Sequence, residues 1–93
     1  MKIISETLAC EHSDRFEKEF DALKDGEQFI YADLPFEFFA IKINNDYAAL
    51  INADGKFFLG QKYKNCLSTG AGLAREYDSF AEAEEAAEKK PLL

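Results

Sequence analysis

The segment from Phe36 to Lys64 constrains the fold more than any other part of the chain. It reads FEFFAIKINNDYAALINADGKFFLGQKYK, in which three runs of strand-forming residues are separated by NND at residues 44–46 and ADG at residues 53–55. Asn, Asp and Gly accept the positive φ angles that tight hairpin turns require. The spacing therefore predicts an antiparallel meander of three strands.

A helix is predicted before the meander. Asp14 followed by Glu17 matches a capping box, in which each side chain accepts a hydrogen bond from a free backbone N–H at the helix start. Three apolar residues then share one helical stripe: Phe16, Phe20 and Leu23. The pattern predicts a helix over residues 14–25, closed by Gly26 in the left-handed conformation.

A second helix is predicted after the meander. Ser79 and Glu82 form another capping box, and Pro91 stops the helix after about Lys90. The apolar stripe of this helix is narrow and mostly alanine. We therefore expect it to approach the sheet closely, with Phe80 as its main anchor.

The segments between these elements carry weaker signals. Residues 27–32 predict a strand, interrupted by Asp33-Leu34-Pro35. Residues 65–72 are typical of a loop, and residues 73–77 predict a fourth strand of the meander. Residues 1–10 fit either a short strand or the start of a helix, and we favour the strand.

Together these elements predict one α+β domain over residues 1–93. Its sheet is mostly an antiparallel β-meander of four to five strands, with one helix before it and one capped helix at the C-terminus. The strand at residues 36–43 is apolar on both sides, with Phe38 and Ala40 opposing Phe39 and Ile41. A one-sided antiparallel sheet does not show this pattern. We expect the helices to cover opposite faces, or a partner subunit to cover one of them.

Charge is unevenly distributed along the chain. The net charge is −7, and the acidic residues concentrate in the two predicted helices. Such a balance repels nucleic-acid phosphates and favours contact with a basic partner. No apolar run is long enough for a membrane span, and the N-terminal residues do not resemble an export signal, so we expect a cytoplasmic protein.

Catalytic and metal-binding constellations are weak. Cys66 with His12 as its base is the one nucleophile pair to consider, but neither residue has a local signature. Gly70-Ala71-Gly72 precedes a predicted strand rather than a helix, which argues against a phosphate loop. Cys10 and Cys66 are expected to be free thiols in a reducing compartment, and two Cys with one His are too few for a zinc site. We expect neither a cofactor nor an enzyme.

Carboxylates offer no stronger candidate. Glu84, Glu85 and Glu88 are close together on the second predicted helix, where a solvated helix face is expected. Glu37 stands within an aromatic strand, which is typical of an edge strand protected from aggregation.

One basic segment is a candidate binding surface. No acid occurs from Gly55 to Arg75, and lysines alternate there with aromatic residues. Basic and aromatic side chains together can grip a phosphate backbone and stack on bases. The candidate residues are Lys56, Lys62, Tyr63, Lys64 and Arg75.

The end of this segment resembles a known family. The pattern Arg75-x-Tyr77-x-Ser79-x-x-Glu82-Ala83, a last strand that enters a capped helix after a meander, resembles the arm-binding domains of phage integrases. The resemblance covers less than half of the chain and implies nucleic-acid binding, whereas this chain is acidic overall. No site residue follows from it.

These observations lead to three functional hypotheses. The first is a small acidic, non-catalytic binding protein that contacts another, basic protein, for example a bacterial or phage-encoded regulator or inhibitor that imitates nucleic acid. The second is a nucleic-acid-binding module that uses the basic strand and loop at residues 56–75. The third is a homodimer that binds a small apolar ligand between its sheet and a helix.

Overall fold

The computed structural model describes residues 2–5, 15–33, 35–63, 66–69 and 75–89. Within them the chain forms an α+β fold of six strands and two helices. In chain order, the elements are β1 (Lys2–Ser5), α1 (Arg15–Ala22), β2 (Gln28–Asp33), β3 (Phe36–Lys42), β4 (Tyr47–Ile51), β5 (Phe57–Tyr63), β6 (Cys66–Ser68) and α2 (Phe80–Glu88).

The described strands form one curled sheet whose spatial order follows the chain, from β1 to β6. The meander of β3, β4 and β5 is antiparallel, as the two turn signals predict. The favoured strand at the N-terminus is also confirmed, but β1 pairs with β2 in parallel. A parallel pair needs a crossover, and α1 lies in the connection between these two strands. The sheet is therefore mixed and has six strands rather than four or five.

The sixth strand lies where a loop was predicted. β6 falls within residues 65–72 and pairs with the end of β5. The Leu67 side chain of β6 packs into the concave core against Gly60 of β5. Glycine has no side chain, so it leaves room for Leu67 at this position. The strand predicted at residues 73–77 lies partly outside the described residues. Of it, Tyr77 makes a single antiparallel bridge with Phe57.

The concave face of the sheet holds the larger core. The curl brings β2 close to β6. The Leu67 backbone N–H donates a hydrogen bond to the Tyr31 hydroxyl over 3.2 Å. Helix α1 packs into this face through Phe16 and Phe20, whose rings stack at 5.9 Å. The buried residues of this core are Ile4, Phe16, Phe20, Leu23, Phe29, Tyr31, Ala40, Ala48, Leu50 and Leu67.

A buried lysine ends helix α1. Lys42 is only 1% exposed, and its ammonium group donates hydrogen bonds to the carbonyl oxygens of Leu23 at 2.7 Å and Phe20 at 3.0 Å. A cation at this position satisfies free carbonyls and complements the helix dipole. The helix ends at Ala22, before the predicted Asp25. Gly26 has the expected positive φ of 86°, in the turn that leads into β2.

The convex face carries helix α2. The predicted N-cap is confirmed, since the Ser79 side chain accepts a hydrogen bond from the Glu82 backbone N–H at 3.2 Å. The Glu82 carboxylate accepts a hydrogen bond from the N–H of Asp78, one residue before the position that a capping box requires. Ala83 and Ala87 are buried, and Phe80 packs edge-on against Phe57. The two helices thus cover opposite faces, one of the two arrangements expected. Within the described residues, neither helix has the length and apolar character needed to cross a membrane.

Candidate functional site

Helix α2 covers one half of the convex face. It packs on β4 and β5, where Ala83 and Ala87 join a small cluster with Ala49 and Leu59. The parts of β1, β2 and β3 that face the same way lie beside the helix rather than beneath it. Their side chains therefore form a separate surface.

The cross-strand register aligns four apolar residues on this surface. Ile3 pairs with Ile30, Ile30 with Phe39, and Phe39 with Ile51. Paired residues in neighbouring strands point to the same face, so the four side chains form one row across the sheet. The row continues to Phe57, which lies under α2.

Much of this row is accessible to solvent. Phe39 is 60% exposed and Ile3 is 56% exposed, while Ile30, Ile41 and Ile51 are half-buried. We call these five residues the open patch: Ile3, Ile30, Phe39, Ile41 and Ile51. A contiguous exposed apolar surface of this kind is typical of a protein contact site.

Two shallow depressions lie on either side of Phe39. One has a volume of about 120 Å³ and is lined by Gln28, Phe39, Ala40, Ile41 and Ile51. The other has a volume of about 110 Å³ and is lined by Ile30, Glu37, Phe38 and Phe39. Each is of the size that accepts one apolar side chain of a partner, since a cavity of about 150 Å³ holds benzene.

The rim of the open patch is acidic. Glu84 and Glu88 of α2 are exposed along one side of the patch. Glu37 is exposed on the convex side of β3, where it lines one of the depressions beside Phe39. The described lysines of β1 and β3, Lys2 and Lys42, belong by strand alternation to the concave face.

The position of Glu84 and Glu88 follows from helix geometry. The opposite flank of α2, which carries Glu82 and Glu85, lines a groove of about 510 Å³ with Arg75 and Tyr77. Tyr77 bridges to β5 on the side away from β4, so this flank points away from the open patch. Successive residues are about 100° apart, which places Glu84 and Glu88 on the flank facing the patch.

Glu37 does not mark an edge strand. The strand that carries it, β3, lies between β2 and β4 in the middle of the sheet, so the edge interpretation is wrong. Its carboxylate instead stands beside Phe39 on an interior strand.

The predicted basic surface is divided among different places. Lys62 points to the concave face, where its ammonium group lies 3.0 Å from the Asp21 carboxylate of α1. Tyr63, the next residue, points to the other face and is 49% exposed. Lys56 precedes β5 at the far end of the strand, about 23 Å from Tyr63 at 3.3 Å per residue.

The other described residues of the predicted basic surface do not form a common surface with Lys62 or Tyr63. Lys56 donates a hydrogen bond to the Asp78 carboxylate, which raises the pKa of this lysine above its ordinary value. Arg75 lies in the groove beside α2 with acids as neighbours, and Lys64 is outside the described residues. The nucleic-acid hypothesis requires convergence on one exposed face, and the described members do not converge.

The described residues add no support for the catalytic candidates. Cys66 is a half-buried free thiol whose sulfur lies 3.6 Å from the Ser68 hydroxyl. His12, Cys10 and the Gly70-Ala71-Gly72 segment lie outside the described residues. Among the described residues, no group of three or more His, Cys, Asp or Glu side chains is arranged to hold a metal ion.

The apolar-ligand hypothesis gains little from the aromatic residues. Phe16, Phe20 and Phe29 contact one another in the concave core, and the two depressions beside Phe39 open to solvent. Their volumes are well below the roughly 300 Å³ at which small-molecule sites begin.

Comparisons with protein-family models, with curated proteins and with solved structures each found no match to this chain. They therefore lend no support to the resemblance between its C-terminal half and integrase arm-binding domains. Inference about function depends on the geometry of the molecule itself.

Sequence reasoning found part of the open patch and missed its extent. Phe39 and Ile41 were expected on the second apolar face, but Ile3, Ile30 and Ile51 were not connected to them. The signal that could have revealed the patch is the narrow alanine stripe of α2. One such helix covers about two strands, which is too little for a six-stranded face.

Proposed function

We propose that this protein is a non-catalytic protein-binding module that docks an apolar surface of another protein on the open patch. The observation that carries the proposal is the 60% exposure of Phe39 at the centre of a row of apolar cross-strand neighbours. A large aromatic side chain on an interior strand is ordinarily covered, and aromatic residues are enriched at the centres of protein interfaces.

The surroundings of Phe39 also support a contact role. Ile30 and Ile51 flank it on the neighbouring strands, and a depression lies on each side of it. These residues stand on paired strands of the sheet, so a partner would bind without first ordering a loop. Preformed apolar surfaces bind more tightly for this reason.

The test is affinity capture from the cells that express the protein, with two matched variants. Phe39→Thr removes the centre of the open patch, and Thr keeps the preference for strand structure. Phe36→Thr is the control, because Phe36 is 64% exposed on the same strand but belongs to the other face. We expect a partner that the wild-type protein and Phe36→Thr retain and that Phe39→Thr loses.

The purified partner then gives a quantitative result. The dissociation constant should rise about 30-fold for Phe39→Thr, as for a central aromatic contact of about 2 kcal/mol, and stay within about twofold for Phe36→Thr. Equal retention of every captured protein by the Phe39→Thr variant would contradict the proposed function.

A further inference from the structure

We propose that the occupant of the open patch is a basic amphipathic helix of another protein, which lies beside α2. This inference rests on the proposed function and names the class of its partner. Its basis is the combination of an apolar floor, an acidic rim and a width that fits one more helix.

The width follows from the spacing of strands and helices. Neighbouring strands are about 4.8 Å apart, and packed helices keep their axes about 8–10 Å apart. A helix next to α2, which covers β4 and β5, therefore lies over β2 and β3. Its apolar stripe would contact Ile30 and Phe39, and side chains of the stripe would enter the two depressions.

The rim sets the charge of that helix. Glu84 and Glu88 are four residues apart on the flank of α2 that faces the patch, and Glu37 lies on β3 at the edge of one of the depressions. Lys or Arg residues spaced by three or four along the docked helix would meet the two carboxylates of α2. A helix with an apolar stripe and a basic flank toward α2 matches the surface in both respects.

A second copy of the chain fits the same surface poorly. A two-fold contact presents the same patch from both subunits. It would bring both sets of Glu37, Glu84 and Glu88 into one interface between chains that each carry a net charge of −7. Like charges in an interface disfavour association, so the acidic rim selects a foreign, basic partner.

Three synthetic peptides test this inference. Each has about 18 residues, or five helical turns, and the same leucine stripe, flanked by Lys in the first, Gln in the second and Glu in the third. Binding to the full chain is measured by titration calorimetry at low and moderate salt, and the contact surface is mapped by amide chemical shifts.

We expect the Lys peptide to bind most tightly and the Glu peptide most weakly. The amides of Ile30, Phe39 and Ile51 should shift on binding of the Lys peptide. The double variant Glu84→Gln, Glu88→Gln should weaken that peptide about threefold to tenfold and leave the Gln peptide unchanged, since exposed ion pairs contribute about 0.2–1 kcal/mol each. Added salt should have the same effect on the wild-type protein.

A matched control comes from the other flank of α2. Glu85→Gln removes one exposed acid that lines the groove with Arg75, so it should leave the affinity for all three peptides unchanged. Charge reversal with Glu84→Lys and Glu88→Lys should shift the preference toward the Glu peptide. Circular dichroism checks that each variant keeps the wild-type fold.

Three outcomes would overturn the inference. One is equal binding of all three peptides, and another is a set of shifts that lies outside the open patch and α2. The third is a dimer in light scattering that Phe39→Thr abolishes, because a second copy would then occupy the patch. If Phe39-dependent capture persists while the peptides show no discrimination, the helical partner is wrong and the proposed binding function remains.

Discussion

The backbone N–H of Leu67 donates a hydrogen bond to the hydroxyl of Tyr31 over 3.2 Å, although their strands, β6 and β2, are separated by three others in the sheet. In a flat sheet these strands would lie about 19 Å apart. The contact is therefore direct evidence of the curl. The curl closes the concave core, and among the described residues one short helix, α2, packs on the convex face.

Tyr31→Phe tests the contribution of this contact. The change leaves the buried N–H of Leu67 without its hydroxyl acceptor, and an unsatisfied buried donor costs about 1–3 kcal/mol. We expect the free energy of unfolding in urea to fall by about that amount. Hydrogen exchange at the Leu67 amide should accelerate more than exchange in β4.

Tyr63→Phe is the matched control for that experiment. Tyr63 is 49% exposed, so removal of its hydroxyl should change stability by less than about 0.5 kcal/mol. If Tyr31→Phe has an equally small effect and leaves Leu67 protected, the hydrogen bond does not hold β6 in place.

Lys42→Met is expected to be strongly destabilising. The side chain is buried, and its ammonium group is the hydrogen-bond donor to the carbonyls of Phe20 and Leu23 at the end of α1. Met fills the space of the aliphatic stem but leaves the Leu23 carbonyl without this donor, whereas the Phe20 carbonyl keeps its hydrogen bond from the Leu23 N–H. The loss of this charged donor should cost about 2 kcal/mol in urea unfolding.

Lys62→Met separates this effect from the loss of a lysine in general. Lys62 forms an ion pair with Asp21 on the same face of the sheet, but it does not cap the helix. A partly exposed ion pair contributes about 1 kcal/mol or less. Equal losses for the two variants would show that capping by Lys42 contributes nothing beyond an ordinary ion pair.

Short sequence patterns predicted the elements and turns that depend on residues close together in the chain. The NND and ADG turns located both hairpins, and the strand predicted at residues 27–32 is present as β2. The parallel pairing of β1 and the burial of Lys42 could not be predicted in this way. Both depend on contacts between residues distant in the chain. A lysine at the end of a strand is ordinarily exposed, and Lys42 is buried only because α1 packs beside it.

The candidate site was predictable to a smaller extent. Alternation assigned Phe39 and Ile41 to a second apolar face, but their exposure depends on where α2 packs. Helix α2 packs on β4 and β5 through Ala83 and Ala87. The sequence of the helix alone does not indicate which strands it contacts. The basic set failed to converge because Lys62 and Tyr63, as neighbours on one strand, necessarily point to opposite faces.

Gly60→Ala is expected to crowd the concave core. A Cβ atom at this position would lie 2.8 Å from Cδ1 of Leu50 and 3.1 Å from Cβ of Leu67. Overpacking of this kind costs about 1–3 kcal/mol. The double variant with Leu50→Ala should lose less stability than the sum of the two single changes, because the shorter side chain vacates the contested space. Strict additivity in thermal or urea unfolding would exclude a steric cause.

Stability should fall at alkaline pH. Burial, and then the nearby Asp46 carboxylate, raises the pKa of Tyr47 above 10.0. The folded state therefore holds this proton more tightly than the unfolded state, and its contribution is complete below pH 10.0 and is lost as the pH rises through the folded pKa. Tyr47→Phe should flatten the decline in unfolding free energy above pH 10.0. An unchanged decline in that variant would assign the effect to other groups, such as Lys56, whose pKa is also raised.

Phe39→Thr should leave the fold nearly intact. Phe39 is 60% exposed, and its contacts within the molecule are with cross-strand neighbours such as Ile30 and Ile51. Loss of such pairs costs about 0.2–1 kcal/mol each, whereas Phe29→Ala in the concave core should cost about 3–5 kcal/mol. Urea unfolding of the two variants measures the difference. A loss for Phe39→Thr as large as that for Phe29→Ala would make Phe39 a structural residue. A small loss would mean that the fold gains little from a large apolar side chain at this position, as expected of a residue that contacts a partner.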